Sequence, residues 1–185
     1  MSLYRINKKM EEKNRDKFAG LYEQYVEKIY RFIYYKTHHK ETAEDLTSTT
    51  FLKALDNFES FSGEKGKFST WLYQIARNTV IDFYRAKKTD VSIEDAWGLS
   101  GKENIERDID TLKKLENVKE YLKKLDPEQR EIVLLRVWEG MSHKEIAEIM
   151  GKTEGSCKVM FSRTINALRQ EMPLGLFLYF ISSKL

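Results

Sequence analysis

One cysteine (Cys157), three histidines (His38, His39, His143) and two prolines (Pro127, Pro173) are the whole supply of those residues in a chain of 185. A single thiol excludes a disulfide framework, and one Cys with so few His excludes a Cys/His zinc site. No apolar run reaches the ~18–20 residues needed to cross a bilayer as a helix. The opening Met1–Lys17 is mostly polar, without the apolar core of a secretory signal, so the expected location is cytoplasmic. No nucleophile–base pairing, phosphate-cradling loop or ligand cluster stands out. An enzyme is therefore not expected, nor a cofactor, a metal or a small-molecule substrate.

What the chain does have is helical text. Hydrophobic residues make up 41% and charged residues 33%, enough to build a core. The nine glycines gather at 63/66, 98/101 and 140/151/155, with Gly20 and Gly175 alone, leaving long stretches without a breaker. Phe18, Leu21, Tyr22, Tyr25, Val26, Ile29, Phe32 and Ile33 step by three and four along one face. Ala43, Leu46, Thr50, Phe51, Ala54, Leu55 and Phe58 do the same after a start signal at Thr42-x-x-Asp45. A third helix is expected from about Ser69 to Lys88. A fourth, through Ile105, Ile109, Leu112, Leu115, Val118, Leu122 and Leu125, stops at Asp126-Pro127, where the next begins. No comparable strict alternation appears, so the expected class is all-α.

Charge divides the chain. Residues 63–88 carry six Lys/Arg against Glu64 and Asp82; residues 90–110 carry seven acids against Lys102 and Arg107. Residues 89–103 also break the helical pattern. Two small helical domains, 14–88 and 110–172, joined by an acidic linker over 89–109, account for this; a surface loop inside one bundle is the alternative. An apolar tail, 173–185, follows, and packing against the second domain is expected for it.

The second domain contains a helix-turn-helix pattern. Ser142 and Glu145 form a capping box, Gly151 permits the turn, and Thr153 caps the next helix. Cys157, Phe161, Ile165 and Leu168 mark that helix's inner side. Ser156, Lys158, Val159, Ser162, Arg163 and Asn166 face outward, where a major groove would meet them. The same pattern also serves as a plain structural corner. In the first domain, Phe58, Phe61, Phe68 and Trp71 surround a glycine loop with Lys65 and Lys67. The helix that follows sets Gln74, Arg77, Asn78, Asp82 and Arg85 apart from Leu72, Ile75, Ala76, Val80 and Phe83. Amides and guanidinium groups suit base edges and phosphates, and aromatic rings can stack on unpaired bases or simply fill a core. His38-His39 reads as solvated surface at a helix end.

Three motifs, in order, carry a resemblance over about residues 15–172. They are Ala43-Glu-Asp-Leu46-Thr-Ser-Thr-Thr-Phe51-Leu-Lys-Ala54, then Phe68-Ser-Thr-Trp71-Leu-Tyr-Gln-Ile-Ala76-Arg-Asn78, then Leu125-Asp-Pro-Glu-Gln-Arg130 before the helix-turn-helix. The chain resembles a bacterial RNA polymerase sigma factor of the sigma-70 family, in the extracytoplasmic-function group. That resemblance implies a factor that binds polymerase core and directs promoter recognition, DNA melting and transcription initiation. It implies polymerase contact, on the β′ clamp, through Asp45, Leu46, Ser48 and Thr49. It implies capture of melted −10 DNA by Phe61, Lys65, Lys67, Phe68, Trp71, Arg77, Asn78, Asp82 and Arg85. Residues 110–172 would bind the β flap and read the −35 element through Thr153, Ser156, Lys158, Val159, Ser162 and Arg163. An anti-sigma protein is a further implied partner. Two departures stand out. Ser48-Thr49 replaces the family's frequent Gln-Glu, and Val159-Met160 replaces polar or basic residues, favouring apolar contact with thymine methyls over attraction to phosphate. The chief alternative is a plain helix-turn-helix regulator with a helical sensing or dimerisation domain.

Overall fold

The computed structural model describes residues 3–61, 67–88 and 117–182. Among them every regular element is helical: α1 (Leu3–Thr37), α2 (Lys40–Asp56), a 3-10 turn (Phe58–Ser60) and α3 (Phe68–Lys88). Then come a segment at 117–123 (α4), α5 (Pro127–Val133), a π-helical turn (Leu134–Trp138), α6 (His143–Met150), α7 (Glu154–Glu171) and α8 (Leu174–Ser182). The chain divides into two compact units between Gly101 and Lys102. That boundary, and the acidic linker expected at 89–109, lie outside the described residues.

In the first unit α1, α2 and α3 pack against one another. The apolar faces meet as the periodicity requires, burying Phe18, Ile29, Phe32 and Ile33 of α1, Leu46, Phe51 and Ala54 of α2, and Leu72, Ala76 and Val80 of α3. Tyr73 joins them, its ring 5.1 Å from that of Phe32. The α1–α2 junction departs from expectation. His38 is not solvated but buried, with φ of 53°, and its N–H donates to the Tyr34 carbonyl (2.7 Å), closing α1 in the left-handed conformation common at helix ends. The α2 cap is His39 rather than Thr42: the Thr42 N–H donates to His39 Nδ1 (3.3 Å), placing Thr42 inside the first turn. Tyr84 then ties α3 to this junction, its hydroxyl donating to the Lys36 carbonyl (3.2 Å).

In the second unit α7 packs on α5, α6 and α8. Local signals set the starts. Asp126 precedes α5, its N–H donating to Gln129 Oε1 (3.3 Å). Ser142 and Glu145 satisfy each other's backbone N–H groups (2.8 and 3.2 Å). Gly151 closes α6 at φ 65°, and Thr153 accepts from the Ser156 N–H (3.2 Å). Between α5 and α6 the chain widens into a π turn, held by Arg136 Nη1 donating to the Met141 carbonyl (2.7 Å). That turn carries Trp138 to meet the tail. The tail forms α8, with Phe180 fully buried 6.1 Å from the Trp138 ring and Phe177 buried beside it, while Leu174, Leu178 and Ile181 stay exposed. The apolar tail thus completes this unit's core.

Truncating a buried aromatic ring removes its transfer energy and leaves a cavity, typically about 3–5 kcal/mol. Phe180→Ala is expected to lower amide protection in α5–α7 by that order while leaving α2 and α3 unchanged. Native-state hydrogen exchange on the full chain checks it; equal protection throughout would make α8 an ornament.

Candidate nucleic-acid interface

Two surfaces collect the side chains singled out from the sequence. On the first unit, Phe61, Phe68 and Trp71 are each half-buried and mutually in contact. Centroids are 4.9 Å apart for Phe61–Trp71, 5.6 Å for Phe61–Phe68 and 5.5 Å for Phe68–Trp71. Phe58, buried, lies beneath, 6.2 Å from Phe68 and 5.2 Å from Phe18. The rings are therefore anchored from below and open above, the arrangement a stacking platform needs. Steps of three and four along α3 then continue from Trp71 through Gln74, Asn78, Asp82 and Arg85, with the last three exposed. Arg77 sits partly buried beside this stripe. Asp82 is already engaged, 3.6 Å from Lys53 Nζ of α2 and 4.0 Å from Arg85 Nη1. Its place is to hold two cations at the rim of the stripe. Lys67 is exposed just before α3; Lys65 lies outside the described residues.

The α2 residues behave differently from one another. Asp45 and Ser48 are exposed and Thr49 half-exposed, whereas Leu46 is buried and supports the face from beneath. Four successive hydroxyls bond back to the carbonyl four residues earlier: Thr47 to Ala43 (2.6 Å), Ser48 to Glu44 (3.1 Å), Thr49 to Asp45 (2.9 Å) and Thr50 to Leu46 (2.7 Å). A hydroxyl spent on its own helix has no proton to offer a partner. Two leucines come next on this face: Leu52, which was not singled out from the sequence, is 62% exposed, and Leu55, expected on the inward apolar face, is turned outward instead and is 45% exposed. The signal was available, since Leu52 falls one turn beyond Ser48.

On the second unit, Thr153, Ser156, Lys158, Val159, Ser162 and Arg163 are all exposed around the first half of α7. Cys157, Thr164 and Leu168 face the core, and Phe161 is half-buried. Burial pushes the Cys157 thiol above its ordinary range, so it packs as an inert apolar group. Two cations here are paired: Lys158 with Glu154 (2.7 Å) and Lys152 with Glu128 (3.0 Å). The Lys158 ammonium, as hydrogen-bond donor and as charge, lowers the Glu154 carboxyl pKa. A groove of about 750 Å³ runs between Asp126–Gln129 and the α7 residues Gly155, Ser156, Val159, Met160 and Arg163. No cluster of metal-ligating side chains occurs among the described residues.

His143, in the first turn of α6, has its ring 5.6 Å from that of Phe161 on α7. Desolvation first, then the charges of Arg136 and Lys158, lower its pKa against a smaller opposing effect of Glu154. The unfolded chain then binds its proton first as pH falls through about 6.5, so acidification draws stability from the second unit. This component is fully present above about pH 6.5 and is lost below it. His143→Gln is expected to flatten the acid side of the stability profile, measured by urea midpoints of the α5–α8 unit between about pH 5 and 7; an unaltered slope would place the titration elsewhere.

Comparison with known proteins matches residues 21–89 to the family model "Sigma-70 region 2" and residues 115–168 to "Sigma-70, region 4". The chain is 38% identical over 162 residues to the ECF RNA polymerase sigma factor BldN of Streptomyces coelicolor, covering 85% of this chain and 61% of that protein. It is 33% identical over 164 residues to the RNA polymerase sigma factor YlaC of Bacillus subtilis, covering 86% of this chain and 94% of that protein. Among solved structures it is similar in fold to the sigma factor RpoE of Bartonella quintana, solved in complex with the anti-sigma factor NepR. The TM-score is 0.69 at 24% identity, over 83% of this chain and 95% of that one.

Proposed function

The chain belongs to the sigma-70 family of RNA polymerase sigma factors, in its extracytoplasmic-function group, and we propose that its two units divide transcription initiation between unpaired and paired DNA. The first unit takes melted −10 bases on Phe61, Phe68 and Trp71, with Lys67, Arg77, Asn78 and Arg85 along the strand. Lys65 belongs to the same proposal from its sequence position alone. Asp82 positions Arg85 and Lys53. The α2 face bearing Asp45, Ser48 and Thr49 docks on the polymerase clamp, with Leu46 beneath it. The second unit presents α7 to the −35 major groove and meets the flap. Domain limits of 14–88, 89–109 and 110–172 go with this reading, with the tail at 173–185 folded onto the second unit.

The observation that carries it is the single stripe on α3 running from an open aromatic cluster into exposed Asn and Arg. Stacking gains about 1–3 kcal/mol per base, which offsets the few kcal/mol needed to unstack and extrude one. Binding energy is thereby spent on strand opening. Two readers tethered to one enzyme also raise each other's effective concentration when their sites are correctly spaced. The work done is binding rather than bond chemistry. No helix among the described residues is long and apolar enough to cross a membrane, and a factor of this kind works beside polymerase in the cytoplasm. An anti-sigma protein is a fitting partner, as one is for the RpoE relative in fold.

The test is transcription by purified core polymerase on a promoter library with and without this chain. Trp71→Ala is expected to lower open-complex formation about 5- to 150-fold, the range that ~1–3 kcal/mol of stacking implies. Trp71→Phe, which keeps a ring, is expected to retain most of it. Permanganate reactivity of unpaired thymines supplies the measurement. Full opening by the Ala variant would favour a duplex-binding regulator instead.

A further inference from the structure

The centre of the α7 reading surface is apolar, and its charges are arranged around that centre. Val159, 49% exposed, is the one large apolar side chain that α7 leaves exposed. Ser156 lies one turn before it and Arg163 one turn after, on the same face. Gly155, four residues earlier, has nothing within 4 Å of where a Cβ would stand, so the backbone there can come close to another surface. Lys158, the adjacent cation, is drawn sideways to Glu154 at 2.7 Å. Across the groove stand Asp126 and Glu128. Such a centre offers no side-chain hydrogen bond to a base edge and no charge to a phosphate.

The major groove presents one apolar feature, the 5-methyl group of thymine. We infer that Val159 is a specificity-determining residue that packs on a thymine methyl in the −35 element. The base pair it faces is chosen by the methyl group, not by hydrogen bonding. This rests on the proposal that α7 enters the −35 major groove, and adds to it which base the groove must offer and through which atoms. Gly155 permits the approach by keeping the preceding turn of α7 thin. Arg163, exposed at the far side, is free to fix the register on the backbone without competing for the same base.

Methyl readout separates cleanly from hydrogen-bond readout. Replacing thymine by uracil removes the methyl and keeps every hydrogen-bonding group. Replacing cytosine by 5-methylcytosine adds the methyl and leaves the cytosine edge unchanged. The experiment takes a promoter that the holoenzyme of core polymerase and this chain uses, and substitutes each −35 thymine in turn. At one position uracil is expected to lower holoenzyme affinity about three- to fivefold, the scale of one buried methyl group. A C·G pair there is expected to be weak, with 5-methylcytosine regaining a similar factor over cytosine. With Val159→Ala both differences vanish while −35 dependence at other positions persists. Val159 is exposed, so the variant's fold is safeguarded. Circular dichroism and an unchanged urea midpoint verify it. Thymine and uracil binding equally at every position, or a discrimination that survives Val159→Ala, overturns the inference while leaving −35 reading intact. Indifference to the whole −35 sequence would instead remove the underlying proposal.

Discussion

A buried guanidinium organises the reading unit. Arg130, 3% exposed, donates from Nε to the Leu122 carbonyl (2.8 Å) and from Nη2 to those of Lys123 (2.9 Å) and Leu125 (3.1 Å). Those carbonyls belong to the end of α4 and the turn after it, where a helix leaves acceptors without intrahelical donors. The guanidinium would be costly to bury without partners, and the carbonyls would be costly to leave unmet, so each resolves the other's problem. The planar fork also fixes direction. With α4 locked to α5, and α5 packed against α7, the position of α7 depends in turn on this buried guanidinium.

Surface chemistry on α7 can depart from the family's habit because the helix is held from within. The inward set of Cys157, Thr164 and Leu168 is secured by packing and the start of α7 by Thr153, while Ser142, Glu145 and Gly151 frame α6 before it. Nothing that holds α7 in place depends on Val159, whose side chain is half in solvent. An outward residue under no structural demand is free to change specificity at little cost to stability. The paired Lys158–Glu154 and Lys152–Glu128 work in the same direction. They temper the positive charge of the unit and leave more of its binding to short-range contact with bases than to long-range attraction to the phosphate backbone.

The parts legible in the sequence were those written locally. Capping boxes, a glycine at a left-handed turn and three-four apolar spacing act within a few residues, and α6, α7 and the α1–α3 faces follow from them. The misread parts depend on distant partners or on unusual chemistry. Thr42-x-x-Asp45 looks like a start signal, yet His39 holds the cap because an imidazole nitrogen accepts as well as a hydroxyl does. Leu46 shares a motif with Asp45 but sits about 100° around the helix, which turns one outward and the other into the core. The π turn at Leu134–Trp138 has no mark in composition. Its purpose shows only when Trp138 meets Phe180, more than forty residues later. The tail's helix was illegible for the same reason: nine uncharged residues carry no amphipathic pattern to say which side is covered.

Under the proposed division of labour, the two units solve opposite problems with the same materials. Paired DNA presents rigid edges, so its reader must be stiff, and Arg130, the caps and α8 supply stiffness around a small exposed face. Unpaired bases present flat apolar surfaces that must be caught as they emerge, so their reader needs rings that are held but not covered. Phe58, at 7% exposure, supplies the floor, and Phe61, Phe68 and Trp71 remain half-open above it. If those three rings were fully buried the cluster would be more stable and would catch nothing. Partial burial is the compromise that the proposed stacking role requires, and Asp82 extends it by keeping Lys53 and Arg85 at the edge of the stripe.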